Sequence, residues 1–497
     1  MDKDDNTNSK LDYLKLGFKA GLEIHQQIDS RKLFCNCSSV LRSDKCDLIV
    51  KRKLHRVAGE TGEVDTAVEY EHGLDKTFVY QYYKDTNCLI ELDEEPPKLI
   101  NDGALDIALQ VALLLNCEIY QNTQIMRKTV IDGSNISGFQ RTVLIAHSGW
   151  MDTSFGRVPI ATVALEEDSA RPGESDGSED DKIEGDKNVK IWKLDRLGIP
   201  LIEIMTAPEM KNPEQVKECA LKIGEILRAC RVKRGIGTIR QDVNINIKGH
   251  NRVEIKGFQD PAMMIKTCDI EIERQQKDIE EGKIKGEVRG ILADGSTKFN
   301  RPMPGRARMY PETDLPLLKI SRERINRLKK ELPKLKQDIK NELEKEGLRG
   351  ELLNLVIDGN VEEFTELMKI HKNPELIAKI ITLFRKEFSA KTGKSYEEVK
   401  ELMNEAVLGK IIEAVEEKKI EEGDVKGVLS KIVNGERLES ALKVEKVDDS
   451  VLEMEIKKLV NASPGLREGA YMGLIIGKFG KDVDKRKAMG ILQKIIS

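Results

Sequence analysis

Arg240-Gln-Asp-Val-Asn-Ile-Asn-Ile-Lys-Gly-His-Asn-Arg-Val-Glu-Ile-Lys256 is the stretch on which the reading of this chain turns. Asp242, Asn244 and Asn246 alternate with Val243, Ile245 and Ile247. After Gly249-His-Asn251, Arg252, Glu254 and Lys256 alternate with Val253 and Ile255. A period of two belongs to a strand with one buried face, and Gly-His-Asn supplies the turn. Opposed residues of an antiparallel pair share a face, and a one-residue slip would drive one polar set into the core. The register that satisfies both arms pairs Asp242 with Lys256, Asn244 with Glu254 and Asn246 with Arg252. The hairpin thus predicts a platform of acids, amides and cations above an apolar layer. A polar face is also the ordinary form of a solvated antiparallel sheet, so other stretches must decide.

Upstream, Gly17-Phe-Lys-Ala-Gly-Leu-Glu-Ile-His-Gln-Gln-Ile28 places Glu23 and His25 two apart. On a strand such residues share a face and can converge on one metal ion. Ile160-Ala-Thr-Val-Ala-Leu-Glu-Glu-Asp-Ser169 is an apolar strand ending in three acids. Three adjacent carboxylates repel one another unless water or cations neutralise them. Trp192 to Met205 sets Asp195 and Glu203 around another buried strand. Arg127 to Arg141, containing Lys128 and Ser134, reads as a loop with small donors and a basic entry, able to hold a phosphate or carboxylate.

Asp102–Leu115 and Pro213–Cys230 carry helical periodicity, and Pro261 to Ile284 reads as a long charged helix. Arg301 to Asp314, rich in Pro and Arg, is expected to be irregular. Past Leu317 helix follows helix. The fold class expected is α+β: an antiparallel-sheet cradle domain over 1–317 with an acidic mobile loop at 170–189, an all-α helical domain over 318–425, and a helical tail domain over 426–497. The tail ends with Lys478, Lys481, Lys485, Arg486, Lys487 and Lys494, suited to a phosphate backbone, though solvated helix faces look the same.

A chain of 497 residues exceeds one core. With 39% hydrophobic and 34% charged residues it suits a charge-rich globular protein, and no run of apolar residues is long enough for a membrane span. A net charge of -4 and 4% aromatic residues argue against a global pull on nucleic acid or base-stacking platforms, so any RNA contact must be local. The eight cysteines show no disulfide framework, which places the protein in a reducing cytoplasm. Cys35-Asn-Cys37, with Cys46 and Cys88, offers zinc one close pair where structural sites use two, so small buried thiols suit the spacing better. Lys391-Thr-Gly-Lys-Ser395 fails as a P-loop because Phe388 stands where the first glycine belongs. No Gly-x-Ser-x-Gly elbow occurs, so ammonia from an amide would have to come from elsewhere.

Together these stretches resemble the GatB/GatE family of tRNA-dependent amidotransferases, most closely its archaeal GatE type. The matching text is Gly21-Leu-Glu-Ile-His25 with Lys32-Leu-Phe-Cys35, Leu165-Glu-Glu-Asp168, Asp195-Arg-Leu-Gly-Ile-Pro-Leu-Ile-Glu-Ile204, Gly237-Thr-Ile-Arg-Gln-Asp-Val-Asn244, Arg252-Val-Glu-Ile-Lys256 and Met309-Tyr-Pro-Glu-Thr-Asp-Leu-Pro316. An inserted domain usual in the archaeal type, similar to one in aspartyl-tRNA synthetases, has no room between Lys285 and Gly295.

The resemblance implies ATP-dependent phosphorylation of the glutamate on tRNA(Gln), then amidation by ammonia channelled from an asparaginase-like glutaminase partner of the GatD type. It implies Mg²⁺ on Glu23, His25, Glu166 and Glu203. Glu167, Asp242 and Glu254 would be further catalytic acids. Arg240, Lys256, Asp195, Arg196, Lys128 and Ser134 would contact ATP or phosphate. A bacterial-type GatB acting on Glu- or Asp-tRNA, and a tRNA-binding paralogue without chemistry, are the competing readings.

Overall fold

The computed structural model describes residues 11–59, 62–174, 188–303, 305, 308–443, 449–479 and 485–496. Lys481 and most of the acidic segment 170–189 lie outside the described residues, as do the side chains of Lys485 and Arg486. The chain divides into two compact units, Met1–Leu335 and Lys336–Ser497.

The first unit is built on an eleven-stranded sheet. Ten strands form its path: β1 Lys19–Gln27, β2 Ile125–Thr129, β3 Phe139–Thr153, β4 Gly156–Glu167, β5 Pro200–Thr206, β6 Ile239–Asn246, β7 Val253–Phe258, β8 Glu287–Ile291, β9 Thr297–Pro302 and β10 Met309–Pro311. Their spatial order is β9-β8-β7-β6-β1-β5-β4-β3-β2-β10. The pairs are antiparallel except β7–β8. The outer member Glu118–Ile119 pairs with β3.

Alternation decides which face is covered. Leu22, Ile24, Ile202, Ile204, Val243, Ile245, Val253 and Ile255 point to one side, where they join residues of three helices in a single core. These are α1 Asp102–Leu114, α2 Pro213–Ala229 and α3 Ala262–Glu280. Each start has a local cause where a cap is present. Asn101 accepts from Gly103 and Ala104 N–H, and Asn212 accepts from Gln215 N–H at 2.7 Å ahead of Pro213. The helix α4 Arg322–Lys330 follows Leu317 but belongs to this unit, tied to α1 by Arg324–Asp106 at 2.6 Å and Arg327–Asp106 at 2.8 Å.

Several elements differ from the sequence reading. Asn244 faces Glu254 as expected, but an extra residue on β7 breaks the register before Gln241↔Phe258. Gly257 takes φ +97 there, and its N–H donates to Asp242 at 3.2 Å. α3 ends at Glu280 rather than running to Ile284, because Gly282 adopts a left-handed φ of 72. Arg127–Thr129 and Phe139–Arg141 are strand rather than loop, with Arg127 opposite Arg141. Met309–Pro311 within the Pro/Arg segment is also strand, and its place at the sheet edge tolerates a proline that donates no hydrogen bond.

A smaller sheet of Leu48–Arg52, Thr77–Tyr82, Val189–Lys193 and Arg171–Pro172 has its own core around Phe78, Tyr80 and Trp192.

The described residues of the second unit are helical, with one core around Val356, Phe364, Ile377, Ile381, Leu408 and Ile412 and another around Leu452, Ile456, Tyr471 and Leu492. The Lys-Thr-Gly-Lys-Ser run is helix punctuation: Gly393 ends one helix at φ 72 and Ser395 opens the next with a capping box. Among the described residues no helix is long and apolar enough to cross a membrane.

Candidate active site

The face of the sheet opposite the three helices carries the polar set. Strand order makes the set converge, since β1 lies between β6 and β5 while β4 lies beyond β5. Register puts His25 opposite Glu203 on one side and Arg240 on the other, with Glu23 opposite Asp242. His25 Nε2 lies 3.5 Å from Glu23 Oε1 and 3.5 Å from Glu203 Oε2. Ligand atoms of Glu23, His25 and Asp242 fall within 4.8 Å of one another, and so do those of His25, Glu166 and Glu203. His25 belongs to both groups.

Two lysines flank these acids. Lys128 Nζ, from β2, donates to Glu166 at 2.5 Å and lies 3.6 Å from Glu203. Glu166 also accepts from Thr142 Oγ1 at 2.7 Å and Gln140 Nε2 at 3.1 Å. Lys256 Nζ joins Asp242 at 2.6 Å and Glu254 at 2.5 Å. Five carboxylates therefore share two ammonium groups and one imidazole.

The electrostatics record the shortage. Burial, then Glu203, pushes the carboxyls of Glu23 and Glu166 above the usual range. Burial opposes ionisation of Glu203 too, but Lys128 and His25 overcome it and hold that carboxyl well below its ordinary value. Glu203 and Glu23 hold the His25 imidazole above its ordinary value against burial. Hard oxygen donors short of positive charge fit a divalent cation, and one imidazole is compatible with it.

The other residues expected at the site are distributed differently. Glu167 points to the helix-covered face, where Arg141 and Arg127 meet Glu167 and Glu312: Arg141 Nε–Glu312 is 2.8 Å, Arg127–Glu312 2.6 Å and Arg141–Glu167 3.4 Å. Asp195 accepts from Arg171 at 2.6 Å and from Arg42 N–H at 2.6 Å, away from the carboxylate group. Arg196 donates to the Ser169 and Ala170 carbonyls. Ser134 turns to Asp132, at 2.6 Å. Arg240 meets Asp168 at 2.8 Å. Gln140 and Thr142 escaped the sequence reading because they sit at the junction of an expected loop and a strand. A period-two count from Arg141 would have put them on one face.

The described residues hold another donor group, built on cysteines. Sγ of Cys35, Cys37 and Cys88 and a carboxylate oxygen of Glu91 are mutually within 4.8 Å, whereas Cys46 is not among them. Cys35 donates to Glu91 at 2.8 Å and Cys88 N–H to its other oxygen at 2.7 Å. The neighbouring thiols of Cys35 and Cys88 push the Cys37 thiol down to about 4. Glu91 supplies the partner that the cysteine spacing lacked, and a three-sulfur, one-oxygen set suits tetrahedral zinc.

Residues 18–326 match the model of the GatB/GatE catalytic domain. The chain is 35% identical to the E subunit of the glutamyl-tRNA(Gln) amidotransferase of Methanocaldococcus jannaschii over 74% of its own length and 80% of the relative's. It is 33% identical to that of Pyrobaculum aerophilum, with 82% and 88% covered. With that of Methanococcus maripaludis strain C7 it shares 31% identity, covering 94% of this chain and 95% of the relative. That alignment runs over 621 positions, more than the chain contains, so the relative has residues with no counterpart here. Matched over most of its length by the family's catalytic domain and by the family's archaeal members, the chain belongs to the GatB/GatE family.

Proposed function

We propose that this chain is the transamidating subunit of a tRNA-dependent amidotransferase, converting Glu-tRNA(Gln) to Gln-tRNA(Gln). The observation that carries the reading is the convergence of Glu23, His25, Glu166 and Glu203 on one open face between Lys128 and Lys256. In this scheme the γ-phosphoryl group of ATP passes to a side-chain oxygen of the tRNA-linked glutamate and ADP leaves. Ammonia then attacks the activated carbonyl, phosphate departs with that oxygen, and the excess proton goes to solvent. The chain's part is positioning and charge neutralisation.

Glu23, His25, Glu166 and Glu203 would hold Mg²⁺, with His25 common to the two donor groups, and the ion would supply positive charge to phosphate oxygens. Lys128 and Lys256 stand at either side of the cluster, each fixed by acids that prevent it from wandering. Lys256 is gripped by Asp242 and Glu254, and its ammonium is pushed up by them against burial. Arg240 reaches the same face. Glu167 supports β4 from the covered side, and Asp195, Arg196 and Ser134 shape the loops around the open face.

Ammonia comes from an asparaginase-like glutaminase of the GatD type, and the helical tail 426–497 holds the tRNA away from its acceptor end. The reaction belongs in the cytoplasm, where charged tRNA is found. Cys35, Cys37, Cys88 and Glu91 would hold a structural zinc ion.

The test uses this chain with Glu-tRNA(Gln), ATP, Mg²⁺ and a high concentration of ammonium salt. Gln-tRNA(Gln) formed only with ATP supports the proposal. ATP-independent product, or none even with the glutaminase partner present, contradicts it.

A further inference from the structure

The last acid of the 166–168 run has no part in the scheme above, although it is the most enclosed of the three. Asp168 is 0% exposed. Its carboxylate accepts from Gln27 Nε2 at 2.7 Å, Arg240 Nη2 at 2.8 Å and its neighbour Ser169 N–H at 2.9 Å, with Arg196 Nε 3.7 Å away. The backbone is pinned as well: Asp168 N–H donates to Ile199 at 2.7 Å, and its carbonyl accepts from Gly198 at 2.9 Å. Neither the carboxylate nor Arg196, committed to the Ser169 and Ala170 carbonyls at 2.7 and 2.8 Å, has freedom to move.

Arg240 is the free end of this assembly. Its side chain is 30% exposed, it lies opposite His25, and among the described residues its hydrogen bonds go to Asp168 alone. One carboxylate against two guanidiniums leaves one net positive charge, delivered to the open face through Arg240. A carboxylate placed only for stability needs no second, half-exposed cation.

We infer that Asp168 is a positioning residue: held by Gln27, it anchors Arg240 through one nitrogen so that the remaining N–H donors address phosphoryl oxygens on the open face. An arginine already held loses less rotamer freedom on binding an anion than one that swings in solvent. Gln27 continues the period-two row of Glu23 and His25, so β1 itself sets the anchor in register with the carboxylate cluster. The inference rests on the amidotransferase reading and adds to it the residues that aim its phosphate-binding arginine.

The experiment is a double-mutant cycle on the complex with its glutaminase partner, measuring KM for ATP, kcat and melting temperature. Arg240→Gln is expected to raise KM for ATP about tenfold, as for one lost charge-assisted hydrogen bond. Asp168→Asn is expected to reproduce most of that rise, and the double variant to be no worse than Arg240→Gln alone. Wild-type KM in Asp168→Asn, or effects that multiply in the double variant, would overturn the positioning role. So would a loss of melting temperature and kcat with KM unchanged, the signature of a purely structural acid.

If Asp168→Asn does not fold, Gln27→Met removes the prop without disturbing the charges. It should raise KM for ATP about threefold, a smaller loss than that of a charged bond, in the wild-type background and not in Arg240→Gln. An equal rise in both backgrounds, or no rise in either, overturns the inference. A wild-type complex that makes no Gln-tRNA(Gln) overturns the functional reading instead. The Asp168–Arg240 coupling is then read in the binding of inorganic phosphate, where independent effects of the two substitutions sink it.

Discussion

Glu166 and Glu167 are neighbours on one strand, both buried, and they live in opposite chemical worlds. Glu167 and Glu312 on the covered face meet Arg141 and Arg127, two buried acids for two bases, with the exposed Asp314 also 3.4 Å from Arg127 and the guanidiniums over Phe139 at 5.2 and 4.5 Å. Glu166 on the open face shares Lys128 with Glu203, while Glu23, Asp242 and Glu254 crowd the same surface. A balanced buried cluster has what it needs to be stable in isolation. An unbalanced one, its acids drawn from five strands, invites a cation and an anionic substrate. The contrast teaches that burial of an acid says little about function until the charge beside it is known.

The comparison breaks most visibly at His25. His25→Ala should lower ATP-dependent amidation by at least about a thousandfold, the scale of losing a central positioning group, while the urea midpoint stays near wild type. Turnover within tenfold of wild type would show that the open face is ordinary surface. On the covered face the expectation inverts. Glu167→Ala leaves Arg141 buried with Glu312 as its remaining acid and should cost about 1–3 kcal/mol of unfolding free energy, read by urea denaturation. Unchanged stability would mean that Glu312 alone balances Arg141 and Arg127.

The cysteine group gives a third, smaller effect. Cys88→Ser should remove the metal found by elemental analysis, from about one zinc per chain to well below one, and lower the melting temperature by several degrees. Purified wild-type protein without zinc would return these residues to plain buried thiols. The smallest effect lies in the second unit. His371 Nδ1 meets Glu416 at 2.6 Å and Nε2 meets Glu422 at 3.1 Å. Glu416 first, then Glu422 against opposing burial, raises this imidazole above its ordinary 6.5. A raised folded value stabilises fully below pH 6.5 and fades as pH climbs through that folded value. Wild type should thus lose a little stability toward pH 8 that His371→Gln does not, as two thermal melts would record.

Much of the sheet was legible because its covered face is apolar. The alternation of Val243, Ile245, Val253 and Ile255 by itself sets the hairpin and the Asn244–Glu254 pairing. The bulge at Gly257 was not legible, since an extra residue satisfies the same pattern with a different register. Strand β2 stayed hidden because Arg127 and Lys128 are both polar yet point to opposite faces, one into the balanced cluster and one into the open one. Without an apolar face there is no period to read. The enclosure of Asp168 was equally invisible: its partners Gln27 and Arg240 come from distant stretches, and three acids in a row look like a solvated strand end. Spacing alone marks Glu23 with His25, and a strand end marks the acids at 166–168; the resemblance joins Glu166 and Glu203 to them as one set, and the fold supplies the reason for the meeting, since register sets His25 against Glu203.

Activation of the tRNA-linked glutamate by phosphorylation on the open face is the proposed step most accessible to a direct test. Glu-tRNA(Gln) carrying ¹⁸O in both side-chain oxygens, turned over with ATP and ammonium, tests it most directly by mass analysis of the inorganic phosphate. One ¹⁸O atom per phosphate released, absent in His25→Ala, is the result expected. Phosphate free of label while Gln-tRNA(Gln) accumulates would contradict the account.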